Sequence, residues 1–279
     1  MPPRMLDLFA IADGNAAVIE AGFEAILAGT TPERAALLRE FAGWVETEGL
    51  VSINVQLHVV GDILNGKAYQ NTYEFAQERA ALSGRPAEDV LRERLQDLYD
   101  RRVGFDRAFT DGEKFRYGAM HAGGPGLTAY GPYCMVLTRR YQESLGQIAY
   151  LPGDSLKVCL GSDASLDEAA VRRSACPHSQ RHLMVAAECA APLIPGDRGT
   201  WPQLVASGER YFEVIFIGEV AFAAIERICV LKTEYDNRWQ SAFESFGAKP
   251  DAATRALAHD FVVLRRAVVE GRLRLEVVP

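Results

Sequence analysis

The residue best suited to chemistry in this sequence is Glu213, a carboxylate at the head of a strongly apolar run. Residues 214–217 are β-branched or aromatic and Gly218 ends the run, a pattern typical of a β-strand. A carboxylate beside a buried strand costs on the order of 1–3 kcal/mol of desolvation free energy unless it is paired or takes part in chemistry. The simpler interpretation is an edge-strand acid that points into water. The motifs elsewhere in the chain have to decide between these two interpretations.

Aromatic and polar side chains gather in three stretches upstream of Glu213, each predicted as a strand. They are Tyr69–Phe75, Tyr117–His121, and the pair Tyr130 and Tyr133 within residues 128–137. Aromatic rings can stack on a nicotinamide or a base, and a carboxylate can hold a ribose hydroxyl and stabilise a developing oxocarbenium ion. The alternative is that these tyrosines are ordinary core residues of strands.

Other kinds of site find little support in the sequence. Cys176–His182 places two histidines four residues apart, but zinc needs three or four ligands and no second cluster or HExxH motif is present, so no metal site is predicted. There is no GxSxG motif and no cysteine in a nucleophile context. Residues 123–126 are glycine-rich but lack the Lys-Ser/Thr of a P-loop, and no GxGxxG opens a helix after a strand.

The composition is that of an ordinary globular protein. The chain has 279 residues, of which 48% are hydrophobic and 24% charged, with a net charge of −7. This charge does not favour a large nucleic acid as partner, although a local basic groove stays possible in principle. Five scattered cysteines without CxxC spacing indicate a reducing compartment rather than a disulfide framework. No signal peptide or membrane span is recognised, so a cytoplasmic protein without a membrane partner is expected.

Two regions are predicted from the change of pattern near Gly49. Residues 1–48 form a helical N-terminal region, with apolar residues on one helix face and Thr31-Pro32-Glu33 as a helix start. Residues 49–279 form a second region of short strands and intervening helices. Its order of elements predicts an α+β fold rather than a regular βαβ winding.

The elements predicted in the second region are few and short. Strands are expected at 51–59, 68–75, 115–121, 128–137, 148–151, 211–220 and 272–277. Helices are expected from Pro86, over about 166–175, over 180–191 and over 252–270.

Five short stretches follow one another in an order that resembles a family of poorly characterised bacterial proteins similar to ADP-ribosyltransferases. The stretches are Ala68–Glu74, Arg116–His121, Tyr130–Leu137, Pro152–Ser155 and Tyr211–Ile215. The resemblance covers about residues 50–220, which is most of the second region.

The resemblance implies a split, mostly antiparallel sheet around a central cleft that binds NAD as substrate. It also implies that Glu213 is the catalytic carboxylate. Residues on the other stretches would then bind NAD: Gln70, Asn71, Thr72, Tyr73, Arg116, Tyr117, Gly118, His121, Tyr130 and Tyr133. The family has an arginine where this chain has Gln70, so Arg116 or His121 could supply that charge. Tyr117, Tyr130 or Tyr133 could stack on the nicotinamide, since Pro132 or Tyr133 occupies the Ser-like position.

The function expected from the resemblance is mono-ADP-ribosyl transfer. Glu213 would stabilise the sugar cation as nicotinamide leaves, and an acceptor of unknown kind, macromolecule or small molecule, would attack it. Such a protein could be a bacterial effector or toxin that a specialised secretion system delivers to another cell. Two alternatives stay open: an NAD glycohydrolase with water as acceptor, and a non-catalytic nucleotide- or protein-binding module on the same fold.

Overall fold

The structure is a computed structural model that describes residues 5–207, 210–245 and 251–279. The first four residues, on which the signal-peptide prediction partly rests, lie outside the described ranges. Within these ranges no helix is both long and apolar enough to cross a membrane.

The first half of the chain, as far as the structure describes it, holds seven α-helices and three strands. In chain order its elements are α1 (Leu8–Gly14), α2 (Ala16–Ala28), α3 (Pro32–Glu48), β1 (Leu50–Val55), α4 (Leu57–Leu64), α5 (Thr72–Ser83), α6 (Ala87–Leu95), α7 (Tyr99–Arg107), β2 (Arg116–His121) and β3 (Tyr133–Leu137).

The second half completes the sheet. Its elements are α8 (Arg139–Ser144), β4 (Ile148–Leu151), α9 (Ser155–Val158), α10 (Glu168–Ser174), β5 (Cys176–Pro177), α11 (Arg181–Glu188), α12 (Trp201–Val205), β6 (Glu213–Phe216), β7 (Ile225–Leu231), α13 (Lys232–Ser245), α14 (Ala252–Val269) and β8 (Arg274–Val278).

The eight strands of the described residues belong to one open sheet with the order β5-β4-β6-β2-β1-β3-β7-β8. The pairs are antiparallel except for β7 and β8, which run parallel. This confirms the predicted α+β class and the mostly antiparallel sheet. The ADP-ribosyltransferase type of the sheet stays a prediction.

Strand alternation divides the sheet into two faces. The large-core face carries Val51, Met120, Val214 and Phe216, which pack with residues of the N-terminal helices such as Phe41 in the largest hydrophobic cluster. The opposite face, here called the Glu213 face, is the one on which the candidate catalytic residue lies. It carries a second cluster under α1, α7, α9 and α10. Because both faces are covered, the central strands read as continuous apolar runs.

Several helix starts follow directly from local sequence. The Thr31 side chain accepts a hydrogen bond from the Arg34 N–H, and Pro32 fits the first turn, as predicted. Asn71 and Glu74 form a reciprocal capping box that starts α5. The cap accounts for an error in the predicted strands, because residues 72–75 are helical.

Three other predicted strands also need correction. The strand predicted to reach residue 59 ends at Val55, and α4 begins two residues later. The strand predicted from 128 begins at Tyr133, since 128–130 form a 3₁₀ turn. The strand predicted from 211 begins at Glu213 and ends at Phe216. Residues 225–231, for which no element is predicted, form β7.

Candidate functional site

Glu213 begins β6, which lies between β4 and β2 near the middle of the sheet. Its Cα pairs with Ala119 on one side and with Leu151 on the other, so the side chains of these two residues share the Glu213 face with it. The residue is only 5% exposed. It is therefore not a surface acid on an edge strand, which was the simpler interpretation of the sequence.

Two groups hold the Glu213 carboxylate. The backbone N–H of Ser155, at the start of α9, donates a hydrogen bond to Oε2 at 2.8 Å. The guanidinium of Arg102, on α7, approaches Oε1 with its Nη2 at 3.9 Å. The second distance is too long for a direct hydrogen bond, so the ion pair is incomplete.

Arg102 is fixed from several sides. Its guanidinium carbon lies 3.9 Å from the centre of the Tyr117 ring, in cation–π geometry. Its Nη1 donates to Ser155 Oγ at 3.2 Å and lies 3.9 Å from Asp106 Oδ1, one helical turn along α7. Arg102 thus stands between two carboxylates and makes close contact with neither.

Asp106 is the second buried acid of this cluster. Its Oδ2 accepts a hydrogen bond from the Tyr73 hydroxyl at 3.0 Å, and its Oδ1 accepts one from the Tyr117 hydroxyl. Glu213, Arg102, Asp106, Tyr117 and Tyr73 therefore form one connected group, here called the Glu213 cluster.

Burial raises the carboxyl pKa values in this cluster. The pKa of Glu213 rises from 4.5 to about 7, because loss of water outweighs the opposing effects of Arg102 and the Ser155 hydrogen bonds. The pKa of Asp106 rises from 3.8 to about 6 for the same reason, against the effects of Arg102 and the two tyrosines. A cluster with two acids and one fixed cation can therefore take up or release a proton near neutral pH.

Of the predicted NAD-binding residues, the structure joins Tyr73 and Tyr117 to Glu213. Both reach it through Asp106 and Arg102 rather than directly. Tyr117 lies on β2 as predicted, whereas Tyr73 lies in the first turn of α5 and not on a strand.

The three residues before Tyr73 have structural contacts instead. Gln70 donates its side-chain amide to Glu78 at the surface. Asn71 caps α5, and its side chain also donates to the Glu113 carbonyl oxygen. Thr72 is the first residue of that helix. The prediction that these residues lie on a strand is wrong.

Arg116, one of the two residues expected to replace the missing charge, lies elsewhere. It pairs across the sheet with Phe216, three residues from Glu213, which corresponds to about 10 Å along the strand. Its side chain belongs to the large-core face and donates two hydrogen bonds from Nη2 to Glu74, at 2.9 and 2.8 Å. Gly118 lies on β2 between Tyr117 and Ala119, so strand alternation places it on the large-core face, as it does Arg116.

His121 shares the Glu213 face but is fully buried. Its Nε2 lies 3.1 Å from the Gly124 carbonyl oxygen, and burial lowers the pKa of the ring. A neutral, covered imidazole is not a phosphate-binding cation. Tyr133 lies on the large-core face, also fully buried, and its hydroxyl has no hydrogen-bond partner among the described residues.

Tyr130 lies on the loop between β2 and β3, and its side chain is exposed. Its hydroxyl is 3.1 Å from that of Tyr211, two residues before Glu213. A cavity of about 270 Å³ adjoins Tyr211 and is also lined by Asp154, Lys157 and Arg210. Tyr130 is thus connected to the segment that precedes Glu213, and of the three residues Tyr130, Tyr211 and Glu213 the cavity lining includes Tyr211.

The histidine-containing segment 176–182 is built into the structure as packing. The Tyr150 hydroxyl lies 2.8 Å from His178 Nδ1, and Arg181 donates to the His178 carbonyl oxygen. Helix α11 begins at Arg181, so His178 precedes it and the two histidines do not share a helix face. Across residues 5–207, 210–245 and 251–279, no three His, Cys, Asp or Glu side chains group as a metal site would require.

Sequence reasoning missed Arg102, Asp106 and Ser155. Arg102 and Asp106 are separated by four residues in a helix whose other members include buried Val103 and Phe105. Charged residues on the apolar side of a helix are a signal that could have identified them. Nothing in the local sequence at Ser155 predicts that its N–H meets Glu213.

Comparison with known proteins adds no family to this picture. No protein-family model matches the chain, and no curated protein shows significant sequence similarity to it.

Proposed function

We propose that this protein cleaves the bond between nicotinamide and ribose in NAD and transfers the ADP-ribose to an acceptor, with Glu213 as the catalytic carboxylate. The observation that carries the proposal is the state of Glu213. It is buried on a central strand and held by one backbone N–H, and the nearest cationic atom among the described residues stands 3.9 Å away. Arg102 neutralises such a carboxylate only in part, so the carboxylate can still interact with a positive charge on a ligand.

Cleavage of NAD produces such a positive charge. The C1′–N bond breaks heterolytically, the electron pair leaves with nicotinamide, and positive charge develops on the ribose. A carboxylate in a site of low dielectric constant interacts with this charge far more strongly than one in water. The acceptor then bonds to C1′ and loses a proton. Glu213 would also accept a hydrogen bond from the 2′-hydroxyl.

The protonation behaviour of Glu213 is consistent with this role. In the free protein its pKa is about 7, so a fraction of the side chain is neutral at pH 7. The nicotinamide ring of NAD carries a positive charge, and a cation within about 4–6 Å favours the ionised carboxylate. Substrate binding would therefore generate the charged form that the reaction uses.

The positive groups at the site come from different elements than the resemblance suggests. Arg102 on α7, rather than Arg116 or His121, is the cation in contact range of Glu213. Lys157 and Arg210 line the adjoining cavity, where the anionic pyrophosphate of NAD could lie. We assign these three side chains to substrate binding under the proposal.

The experiment that tests the proposal uses NAD carrying a label on its adenylate half. The protein is incubated with labelled NAD, with and without a cell lysate, and nicotinamide release is measured. Release that needs lysate, with label retained on macromolecules, is the expected result. Release without lysate and without retained label would assign the site to hydrolysis, with water as acceptor.

A second candidate function is a non-catalytic nucleotide-binding module. The observation in its favour concerns the residues predicted to bind NAD. Asn71 and Thr72 start helix α5, and Arg116 is paired with Glu74, so these side chains are not placed as the resemblance implies. This candidate predicts that NAD raises the melting temperature while no nicotinamide is released. If NAD neither binds nor reacts, both functions are wrong.

A further inference from the structure

The loop between β2 and β3, residues 122–131 and here called the glycine loop, is held by one side chain of the neighbouring strand β1. The Nδ2 of Asn54 donates hydrogen bonds to the carbonyl oxygens of Pro125 and Gly131, at 3.0 and 2.9 Å. Its Oδ1 accepts a hydrogen bond from the Leu127 N–H at 2.8 Å. One amide side chain thus connects the two arms of the loop and uses both donors and its acceptor to do so.

The loop also approaches the sheet too closely for most side chains. A Cβ at Gly126 would lie 2.4 Å from Asn54 Oδ1 and 2.6 Å from Cys134 Sγ, and its φ is +66°. A Cβ at Gly131 would lie 2.4 Å from the Val55 carbonyl group. Glycine is required at both positions, so the loop lies directly against β1 and β3.

A further contact fixes the start of the loop. His121, the last residue of β2, places its Nε2 3.1 Å from the Gly124 carbonyl oxygen. The stem of the glycine loop is therefore tied to two strands by side chains of both. These contacts hold the loop in one arrangement against the sheet, unlike a lid that opens and closes.

The glycine loop carries Tyr130 near its end. Tyr130 is 58% exposed, and its ring packs edge-on against Tyr211, with 6.4 Å between ring centroids. Tyr211 is followed after one residue by Glu213. The two hydroxyl groups at 3.1 Å join the glycine loop to the segment that leads into β6.

We propose that Asn54 is a positioning residue for the site, because it presets the glycine loop so that Tyr130 and Tyr211 form a fixed entrance to Glu213. This inference rests on the proposed function for its substrate, NAD. Asn54 itself touches no reacting atom. Its effect is to keep the entrance in the binding-competent arrangement before the substrate arrives.

The consequence is a specific division of kinetic effects. Without Asn54 the loop has other arrangements available, and substrate binding must select the competent one. The apparent affinity falls by the fraction of molecules that are competent. Loss of three hydrogen bonds is sufficient for about a tenfold rise in KM. The kcat should change by less than about twofold, because the occupied site is the same.

Asn15 offers a matched control. Its Nδ2 also donates to two backbone carbonyl oxygens, those of Arg172 and Ala175, at 2.8 and 2.7 Å. These bonds join the residue before α2 to the last turn of α10 and to the residue that follows it. They do not involve the glycine loop. Asn15→Ala removes two comparable hydrogen bonds without affecting Tyr130 or Tyr211.

The experiment compares wild type, Asn54→Ala, Asn15→Ala and Tyr130→Ala in nicotinamide release, urea unfolding and amide hydrogen exchange. We expect both asparagine variants to lose stability, while only Asn54→Ala raises KM about tenfold and speeds exchange of the Leu127 amide. Tyr130→Ala should raise KM similarly without lost stability, since its side chain is exposed.

Two kinetic outcomes, and one from hydrogen exchange, would overturn the inference while the proposed function stands. One is a wild-type KM in Asn54→Ala, and the other is an equal KM rise in Asn15→Ala. Slow, unchanged exchange at Leu127 in Asn54→Ala would overturn it without any assay of activity. If wild type releases no nicotinamide, the affinity for NAD is read from its effect on the melting temperature. Wild-type protein that neither binds nor cleaves NAD would overturn the proposed function, and the assigned entrance with it.

Discussion

Two arginine–carboxylate pairs lie at opposite ends of the paired strands β2 and β6, and they differ in kind. At one end Arg116 binds both carboxylate oxygens of Glu74, at 2.9 and 2.8 Å. Glu74 also accepts a hydrogen bond from the Asn71 N–H and is 43% exposed. Both carboxylate oxygens of Glu74 therefore have partners, although the buried Nε of Arg116 has none among the described residues.

At the other end Arg102 and Glu213 are 3.9 Å apart, and both side chains are largely buried. Burial raises the pKa of Glu213 to about 7. A protein that needed only stability would bring the two groups into contact or replace them with apolar residues. Under the proposed function, the Glu74–Arg116 pair serves the fold, whereas the Glu213–Arg102 pair leaves negative charge available to a ligand.

The largest effect expected from this comparison is on turnover. Glu213→Gln keeps the size and the acceptor oxygen of the side chain but removes the charge that would face the sugar cation. Nicotinamide release should fall by about 10³-fold or more, a size that mutation of a charge-stabilising group can reach. Glu74→Gln should stay within about twofold of wild type in the same assay.

A second control lies on the segment after β6. Glu219 is exposed and follows Gly218, so Glu219→Gln should also leave nicotinamide release unchanged. Near wild-type turnover in Glu213→Gln would remove this carboxylate from the mechanism. An equal loss in Glu74→Gln would show that the two pairs do not differ in function.

The next effect concerns the pH dependence of the rate. If the ionised form of Glu213 is required, kcat/KM should rise with pH and level off above about 7, the pKa of the free protein. The kcat profile should level off at lower pH, because bound NAD brings a positive charge close to the carboxylate. The two profiles are measured by nicotinamide release from pH 5 to pH 9. A rate that does not depend on pH across this range contradicts the assignment.

Stability should depend on pH in the direction opposite to ordinary acid unfolding. The folded-state pKa of Glu213 lies above its ordinary value of 4.5, so the folded protein binds more protons than the unfolded chain between pH 4.5 and 7. The contribution of Glu213 to the free energy of unfolding therefore falls as pH rises through this window. The pKa difference corresponds to about 3 kcal/mol as an upper figure.

Glu213→Gln isolates this effect, because glutamine resembles the neutral acid at every pH. Its free energy of unfolding, relative to wild type, should increase from pH 4.5 to pH 7.5 by up to about 3 kcal/mol. Urea unfolding of both proteins at several pH values measures the difference. Asp106 is present in both proteins, and its own raised pKa affects both in the same direction. A constant difference across the range would show that Glu213 is not destabilised by its burial.

The smallest effect is expected at the other pair. Glu74→Gln weakens the bond to Arg116 and one side of the capping box, and Glu74 is partly exposed. We expect a loss of about 1 kcal/mol in the free energy of unfolding at pH 7. Urea unfolding measures it. A gain in stability would mean that Glu74 is as poorly paired as Glu213.

The central strands could be predicted from the sequence because burial on both faces leaves an unmistakable pattern. Residues 214–216 and 148–151 are continuously apolar, and both lie in strands. Strand β4 has its predicted bounds, whereas β6 is shorter than predicted at both ends. Ile225–Leu231 carries similar β-branched residues, although no strand is predicted there. The polar and aromatic residues at 68–75 alternate like a strand, but the hydrogen bonds of the Asn71–Glu74 cap favour a helix.

The candidate site was less accessible to prediction, since it depends on packing between distant segments. Glu213 stands out because its own strand is informative. Arg102 comes from a helix whose contact with β6 is set by tertiary structure. Arg116 is closer to Glu213 in the strand register, yet alternation directs it to the other face. A spacing rule along the sequence cannot reveal which of the two arginines approaches the carboxylate.

The place of β6 in the sheet has a consequence for how the protein folds. Strand β6 is inserted between β2 and β4, which are made about 60 or more residues earlier in the chain. During synthesis the facing edges of β2 and β4 must wait for residues 213–216, and exposed edges are open to pairing with other chains. The segment that carries the carboxylate is therefore also the one that joins β5-β4 to the rest of the sheet. A nascent chain stalled before it would have neither a site nor a protected edge.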